Sequence, residues 1–282
     1  MTLNGLIMKY NYLLLSVFCT TLVFGCGDSD TDPDTAAQAA DQRAEYERRI
    51  SESMQDTEAN VALMTQECNS GDGVSCTTLG FMYGSEQTAS KDINQDFNKS
   101  AEFLSKGCDL NVGIACGLAS SLYYGTQGVR PNYKKSYELA EKGCSTNDAT
   151  ACAVAGVIIM DGKGVKRDYA KAQEFLTKGC DLSNFMACNS LGILHQEGKG
   201  VRQDYNKSNE LYTKSCSNGY ASGCINIGAA YSAGRGVRQD YDTAKEYFGK
   251  ACDLLDQEGC ERYKIINLSQ RGKMKQLNKS VH

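Results

Sequence analysis

Six cysteine pairs constrain this chain more than any other feature. Cys68/Cys76, Cys108/Cys116, Cys144/Cys152, Cys180/Cys188, Cys216/Cys224 and Cys252/Cys260 all have the form C-x7-C. Their first members are spaced by 40 residues once and then by 36 residues four times. A fixed period in this range marks a stacked array, in which each unit buries its apolar face on its neighbours. Any role for the cysteines must therefore hold six times over.

The residues between the pairs define the unit. After each second cysteine comes a short apolar segment: CTTLGFMYG, CGLASSLYYG, CAVAGVIIMDG, CNSLGILHQEG and CINIGAAYSAG. Apolar residues fall three and six positions past the cysteine, as at Leu79 and Met82 or Leu191 and Leu194. That spacing is one stripe of a helix, helix A. Four positions past the cysteine stand Gly80, Ser120, Gly156, Gly192 and Gly228. Glycine costs about 1 kcal/mol of helix propensity against alanine, so a neighbouring helix is expected to come close there. A GxGV turn follows in three units, at 162–165, 198–201 and 234–237, with a variant at 125–129. A GxG loop can cradle phosphate, but that fingerprint runs from a strand into a helix. With helices on both sides, the motif predicts a tight turn with positive φ. The first unit lacks it and is four residues longer between Tyr83 and Asp96. Helix B then opens at Asp96, Asn132, Asp168, Asp204 or Asp240, each a good N-cap followed by an aromatic residue. It ends near the first cysteine of the next pair.

Each pair therefore spans the turn from one helix B to the next helix A, which suits a disulfide clamp. Closing a loop this short is worth roughly 2–3 kcal/mol in the chain-entropy model. Zinc and redox chemistry fit less well. Structural zinc favours C-x2–4-C with further ligands nearby, and a redox pair favours C-x-x-C. Fourteen cysteines, mostly paired, favour an oxidising compartment.

The amino terminus supports export. Residues 1–25 read as a signal peptide, with Met8 as an alternative start, Lys9 in its basic region and an apolar run from Leu13 to Phe24. Val23-Phe24-Gly25-Cys26 is similar to a lipobox, which makes Cys26 the lipidated residue. Cysteine parity agrees: Cys19 leaves with the signal and twelve cysteines pair, so Cys26 is left over. Residues 26–35 are then the lipidated cysteine and an acidic tether, 36–67 an N-terminal helical cap, 68–260 the repeat array, and 261–282 a capping helix with a basic, frayed tail. The expected location is the periplasm or cell surface, held to the membrane through the lipid alone, with free secretion as the alternative.

The unit CNSLGILHQEGKGVRQDYNKSNELYTKSC resembles the Sel-like repeat, a relative of the tetratricopeptide repeat. The 36-residue period with C-x7-C in every unit is similar to the Helicobacter cysteine-rich protein family of epsilonproteobacteria, over about residues 57–272. The resemblance implies an all-α fold, a right-handed α/α superhelix (a solenoid) of disulfide-clamped helix pairs, exported from the cell. Some members are labelled β-lactamases, which implies penicillin binding and slow hydrolysis. Others are discussed as secreted factors acting on host cells. The longer first loop and the lipid anchor depart from the family pattern.

Composition and motifs narrow the function. A net charge of −4 gives no field to attract nucleic acid. The chain has no S-x-x-K, S-D-N or K-T-G. Thr88-Ala89-Ser90-Lys91 puts threonine at the nucleophile position, inside the inserted loop. The two histidines are His195 and the terminal His282. His195 shares its repeat position with Tyr83, Tyr123, Ile159 and Tyr231, which reads as a packing site. No metal or cofactor is expected, and no catalytic residue is assigned. Stacked helix pairs form a concave face commonly used for binding. Positions one, five and eight past the second cysteine vary between units and are candidate groove residues: Thr77, Phe81, Tyr124 and Met160, with Asn189, Ile193, Gln196 and Ile225. A merely solvated face would vary in the same way. The expected activity is that of a monomer binding a peptide, protein or cell-wall fragment, with weak β-lactam hydrolysis as the alternative.

Overall fold

The computed structural model describes residues 57–85, 94–125 and 128–280. The signal peptide, Cys26, the acidic tether, the start of the N-terminal cap, Thr88–Lys91 and His282 lie outside the described residues. Within them the chain forms twelve helices and no strand. In order these are α1 (Thr57–Ser70), α2 (Gly73–Gly84), α3 (Phe97–Asp109), α4 (Gly113–Tyr124), α5 (Tyr133–Ser145), α6 (Ala149–Asp161), α7 (Tyr169–Asp181), α8 (Phe185–Glu197), α9 (Tyr205–Ser217), α10 (Ala221–Ala233), α11 (Tyr241–Asp253) and α12 (Gln257–Ser280). The chain divides into two compact units, Met1–Ala151 and Cys152–His282. In each unit consecutive helices pack on one another, and helices two apart also touch, α3 with α5 and α8 with α10. This is an all-α array of helix pairs.

The B helices, α3, α5, α7, α9 and α11, start where the N-caps predict. Asp168 and Asp204 accept from the backbone N–H of Lys171 and Lys207, three residues on. Such a cap is worth about 1 kcal/mol. The A helices are apolar on nearly every side, because helices flank them on two sides. The glycines at the crossing are needed for space. A Cβ at Gly80 would stand 2.5 Å from Leu104, and one at Gly192 would stand 2.7 Å from the Tyr212 ring.

The clamps are closed. The bridges Cys68–Cys76, Cys108–Cys116, Cys180–Cys188, Cys216–Cys224 and Cys252–Cys260 hold their Cα atoms 4.4–4.7 Å apart. Cys144 and Cys152 are disulfide-bonded too. The A helices begin three residues earlier than the sequence reading placed them, so both cysteines of a pair are helical. The reason is a second set of caps, such as Asp72 and Asn184, whose side chains accept from the first turn of helix A. The turn between the helices is correspondingly short. One residue in each takes positive φ: Gly71, Asn111, Asn147, Ser183, Gly219 or Leu255. The tail expected to fray is helical through Ser280, where Lys, Met, Gln and Leu are all good helix formers.

Candidate functional site

The GxG turns frame a recess in the second unit. Gly198 and Gly200 both have positive φ, +66° and +71°. A Cβ at Gly200 would lie 2.6 Å from the backbone carbon of Tyr169, so the turn rests directly on the first residue of α7. No other residue fits that approach in that conformation. The consequence is positional. Lys199, between the two glycines, is carried over the neighbouring repeat, its Nζ 5.6 Å from the Tyr169 ring centroid.

Three cations gather there. Lys199 pairs with Glu197 at 2.7 Å, and Lys163 pairs with Asp161 at 2.8 Å. The hydrogen bond that Lys199 donates to Glu197 raises its ammonium above its ordinary value. Arg167 donates from Nη2 to the Asp161 carbonyl at 3.1 Å, with its guanidinium carbon 5.7 Å from the Tyr169 ring centroid. Between these groups is a recess of about 370 Å³. Its apolar floor is Met160, Ile193 and the Tyr169 ring. A broader depression of about 550 Å³ lies along α7 and is lined by Glu174, Lys178 and Asp181. Leu182 lines it as well, and α7 with its C-cap residue is all that frames it.

The structure separates the eight candidate groove residues. Met160 and Ile193 line the recess. Gln196 is half-buried, and its carbonyl accepts from the Gln203 amide at 2.8 Å. Phe81 and Tyr124, in the first unit, are half-buried, and Tyr124 meets Tyr133 edge-on at 5.6 Å. Thr77, Asn189 and Ile225 are interior, at 4%, 5% and 8% exposure. Thr77 donates to the Gly73 carbonyl, and Asn189 accepts from Asn226 at 2.8 Å. Ile225 packs in the core with Tyr212 and Phe248. Position one past the cysteine therefore faces the body of the stack, because the clamp folds the previous turn over the start of helix A. It offers no open surface. The sequence reading did not single out Lys199, Arg167 or Tyr169 as site residues. One signal was available: Arg167 stands where the following units have Gln203 and Gln239.

His195 is half-buried, and its Nδ1 is buried without a hydrogen-bond partner. Burial pushes the imidazole below its ordinary value. Asp204 opposes that shift and Lys207 adds to it. Equivalent positions are packed aromatics: Tyr83 stacks on Phe103 at 5.6 Å and Tyr231 on Tyr247 at 5.7 Å. Among the described residues no group of three His, Cys, Asp or Glu side chains is placed to hold a metal ion. No helix among them is long and apolar enough to cross a membrane.

With this geometry in hand, three comparisons bear on the chain. The Sel1 repeat model matches residues 76–112, 115–148, 149–184, 185–220 and 221–254. No curated protein matches the sequence. Among solved structures, c5321, a protective antigen of uropathogenic Escherichia coli with an SLR fold, shares 21% identity over 84% of this chain at a TM-score of 0.64. This chain spans about half of that protein, 52% of its length. A Sel1 repeat protein from Oxalobacter formigenes shares 14% identity over 83% of this chain and 87% of its own, at 0.63. Helicobacter pylori cysteine rich protein B shares 28% identity over 49% of this chain and 98% of its own, at 0.39. The first two likenesses show the fold.

Proposed function

The chain belongs to the Sel1 repeat family, and from that premise we propose that it binds a peptide or protein partner on the A-helix face of its second unit. The observation that carries this reading is the recess where α6 and α8 end. It has an apolar floor of Met160 and Ile193 and a rim of ordered charge. At about 370 Å³ it falls near the small end of the usual range for ligand sites, roughly 300–1,000 Å³. That size suits a few side chains of an extended segment better than a whole cofactor. The turns that frame it are held by paired glycines and by α7, so little ordering is needed on binding, and pre-organised surfaces lose less affinity to entropy.

The partner is met outside the cytoplasm. The clamps support this, because such bridges form and persist where the surroundings are oxidising. The signal peptide and the lipid on Cys26 are part of the same proposal.

A display selection of random peptides against the oxidised protein tests it. A peptide consensus should emerge whose binding shifts the backbone amides of residues 162–164 and 198–200, and Ile193→Asp should abolish that binding. Selected peptides that bind equally well to Ile193→Asp would remove this face from consideration.

A further inference from the structure

The position just before the helix B N-cap has the same mechanical task in four of the five repeats, the exception being the one that places Pro131 there. It ties down the carbonyl end of the preceding helix A. Gln95 donates to the Gly84 carbonyl at 3.3 Å, Gln203 to Gln196 at 2.8 Å and Gln239 to Ser232 at 2.8 Å. In two of these the same amide nitrogen also reaches a tyrosine hydroxyl, Tyr205 or Tyr241, at 3.0 Å. The glutamine amide is spent on that lock. In the repeat that opens helix B at Asp168 the task falls to Arg167, which performs it with one nitrogen on the Asp161 carbonyl. A guanidinium carries five N–H donors in a planar fork. Most of that fork is left over. It is nonetheless fixed, by the Asp161 carbonyl at one end and by the Tyr169 ring beneath it.

The surrounding charge makes the remainder meaningful. Lys163 and Lys199 are matched by Asp161 and Glu197. Arg167 pairs with no carboxylate among the described residues, and it is exposed. Its charge is therefore the one the recess leaves unbalanced. It stands at the rim of an apolar floor made by Met160 and Ile193. Methionine adapts its shape to different aliphatic guests.

We propose that this recess recognises an acidic side chain next to a large aliphatic one on a peptide segment of its partner, with Arg167 reading the carboxylate and Met160 and Ile193 taking the aliphatic group. This deepens the binding reading above and rests on it. The fork geometry favours a bidentate carboxylate, which a lysine at this position could not match.

The test is an amide-shift titration of the oxidised protein with three capped probes. Acetyl-Leu-Glu-Leu-amide should shift residues 162–164 and 198–200 at millimolar concentration. Acetyl-Leu-Gln-Leu-amide should bind the same place about tenfold more weakly, the loss of one charge-assisted pair. Arg167→Gln installs the residue that the sibling turns already use, so the lock and the fold are kept. It should erase the preference for Glu while leaving the Gln peptide unchanged. Equal binding of both peptides to the parent would overturn the acid reading and leave the binding face standing. Tighter binding of acetyl-Gly-Leu with a free carboxyl end would reassign the recess to chain termini. No shift with any probe would overturn both readings.

Discussion

The same helix crossing is sealed one way in the first unit and another way where α8 meets α9 in the second. In the first unit Ser100 donates to the Gly80 carbonyl and Ser136 to the Ser120 carbonyl, each at 2.6 Å. In the second unit Ser208 holds the same repeat position at 1% exposure, and its hydroxyl has no partner. Four residues on, Leu104 and Ala140 fill the first unit's crossings, but Tyr212 fills this one. Its ring lies against Gly192, and its hydroxyl is fully buried and unpartnered. Burial pushes that hydroxyl up to about 12. Ser208 offsets part of the shift as a hydrogen-bond donor to the ionised form, while in the neutral protein neither hydroxyl has a hydrogen-bond partner. A buried group left without a partner costs about 1–3 kcal/mol. The less well satisfied crossing belongs to α8 and α9, and α8 leads into the turn that carries Lys199 across the recess. Local rules tend to be broken where function competes with stability.

The turns give the largest test of that contrast. Gly128 in the first unit and Gly200 in the second both have positive φ. A Cβ at Gly128 meets the edge of the Phe97 ring at 2.9 Å, whereas one at Gly200 meets Tyr169 backbone at 2.6 Å. A ring can turn aside, and a backbone cannot. Gly200→Ala should cost about 3 kcal/mol or more, combining the left-handed penalty with overpacking. Gly128→Ala should cost about half as much. Denaturant midpoints of the two variants, with unchanged slopes, measure this. Equal costs would mean that the second unit's turns are no more tightly seated than the first's.

A pH titration separates the units next. Asp148 and Asn184 cap equivalent A helices. Asp148 is buried in the space left by Gly117, and burial raises its carboxyl from 3.8 to about 6, partly offset by the backbone N–H groups of Ala151 and Thr150. The folded chain therefore keeps this proton in a window where the unfolded chain has lost it. Stability from this group is fully present below about pH 3.8 and is lost as pH rises to about 6, by up to about 3 kcal/mol. Asp148→Asn keeps the cap without the charge, as Asn184 does. The variant should lose that slope and exceed the parent's stability above pH 6. An unchanged slope between pH 4 and 6 would place the titration elsewhere.

The clamps should not discriminate. Replacing Cys108 and Cys116 together by alanine, or Cys180 and Cys188, should each cost about 2–3 kcal/mol. The bridges have the same separation and nearly the same Cα distance, 4.5 and 4.6 Å. A clear inequality would show that one unit leans on its clamp to compensate for a poorer crossing.

Much of this was legible in the residues. The period, the pairs, the B-helix caps and the crossing glycines each follow from local chemistry repeated at a fixed step. The site was less so. Thr77, Asn189 and Ile225 vary between units as groove residues would, yet they are buried. Variation at one repeat position does not say from which side the neighbour approaches. Arg167 reads as an ordinary loop arginine until the turn folds back and gives it the Asp161 carbonyl and the Tyr169 ring. The second set of helix caps was also missed, partly because Val112 and Tyr220 hold that position without a side-chain cap.

The smallest effects go to the centre of the comparison. Ser100→Ala should destabilise the first unit by about 1 kcal/mol, since it removes a buried bond and leaves the Gly80 carbonyl with one partner fewer. Ser208→Ala removes a hydroxyl that has no bond to lose, so it should be neutral or slightly stabilising. Tyr212→Phe removes the orphan oxygen while keeping the ring against Gly192, and should stabilise by about 1 kcal/mol. The sign is the informative quantity, because a serine with a partner and one without are predicted to move in opposite directions at the same repeat position. A loss in Tyr212→Phe would mean that its hydroxyl is satisfied after all, and the two crossings would then be equally well made. A gain in Tyr212→Phe together with weaker peptide binding at the recess would mean that α8 and α9 are held less tightly than they could be, and that the partner uses the slack.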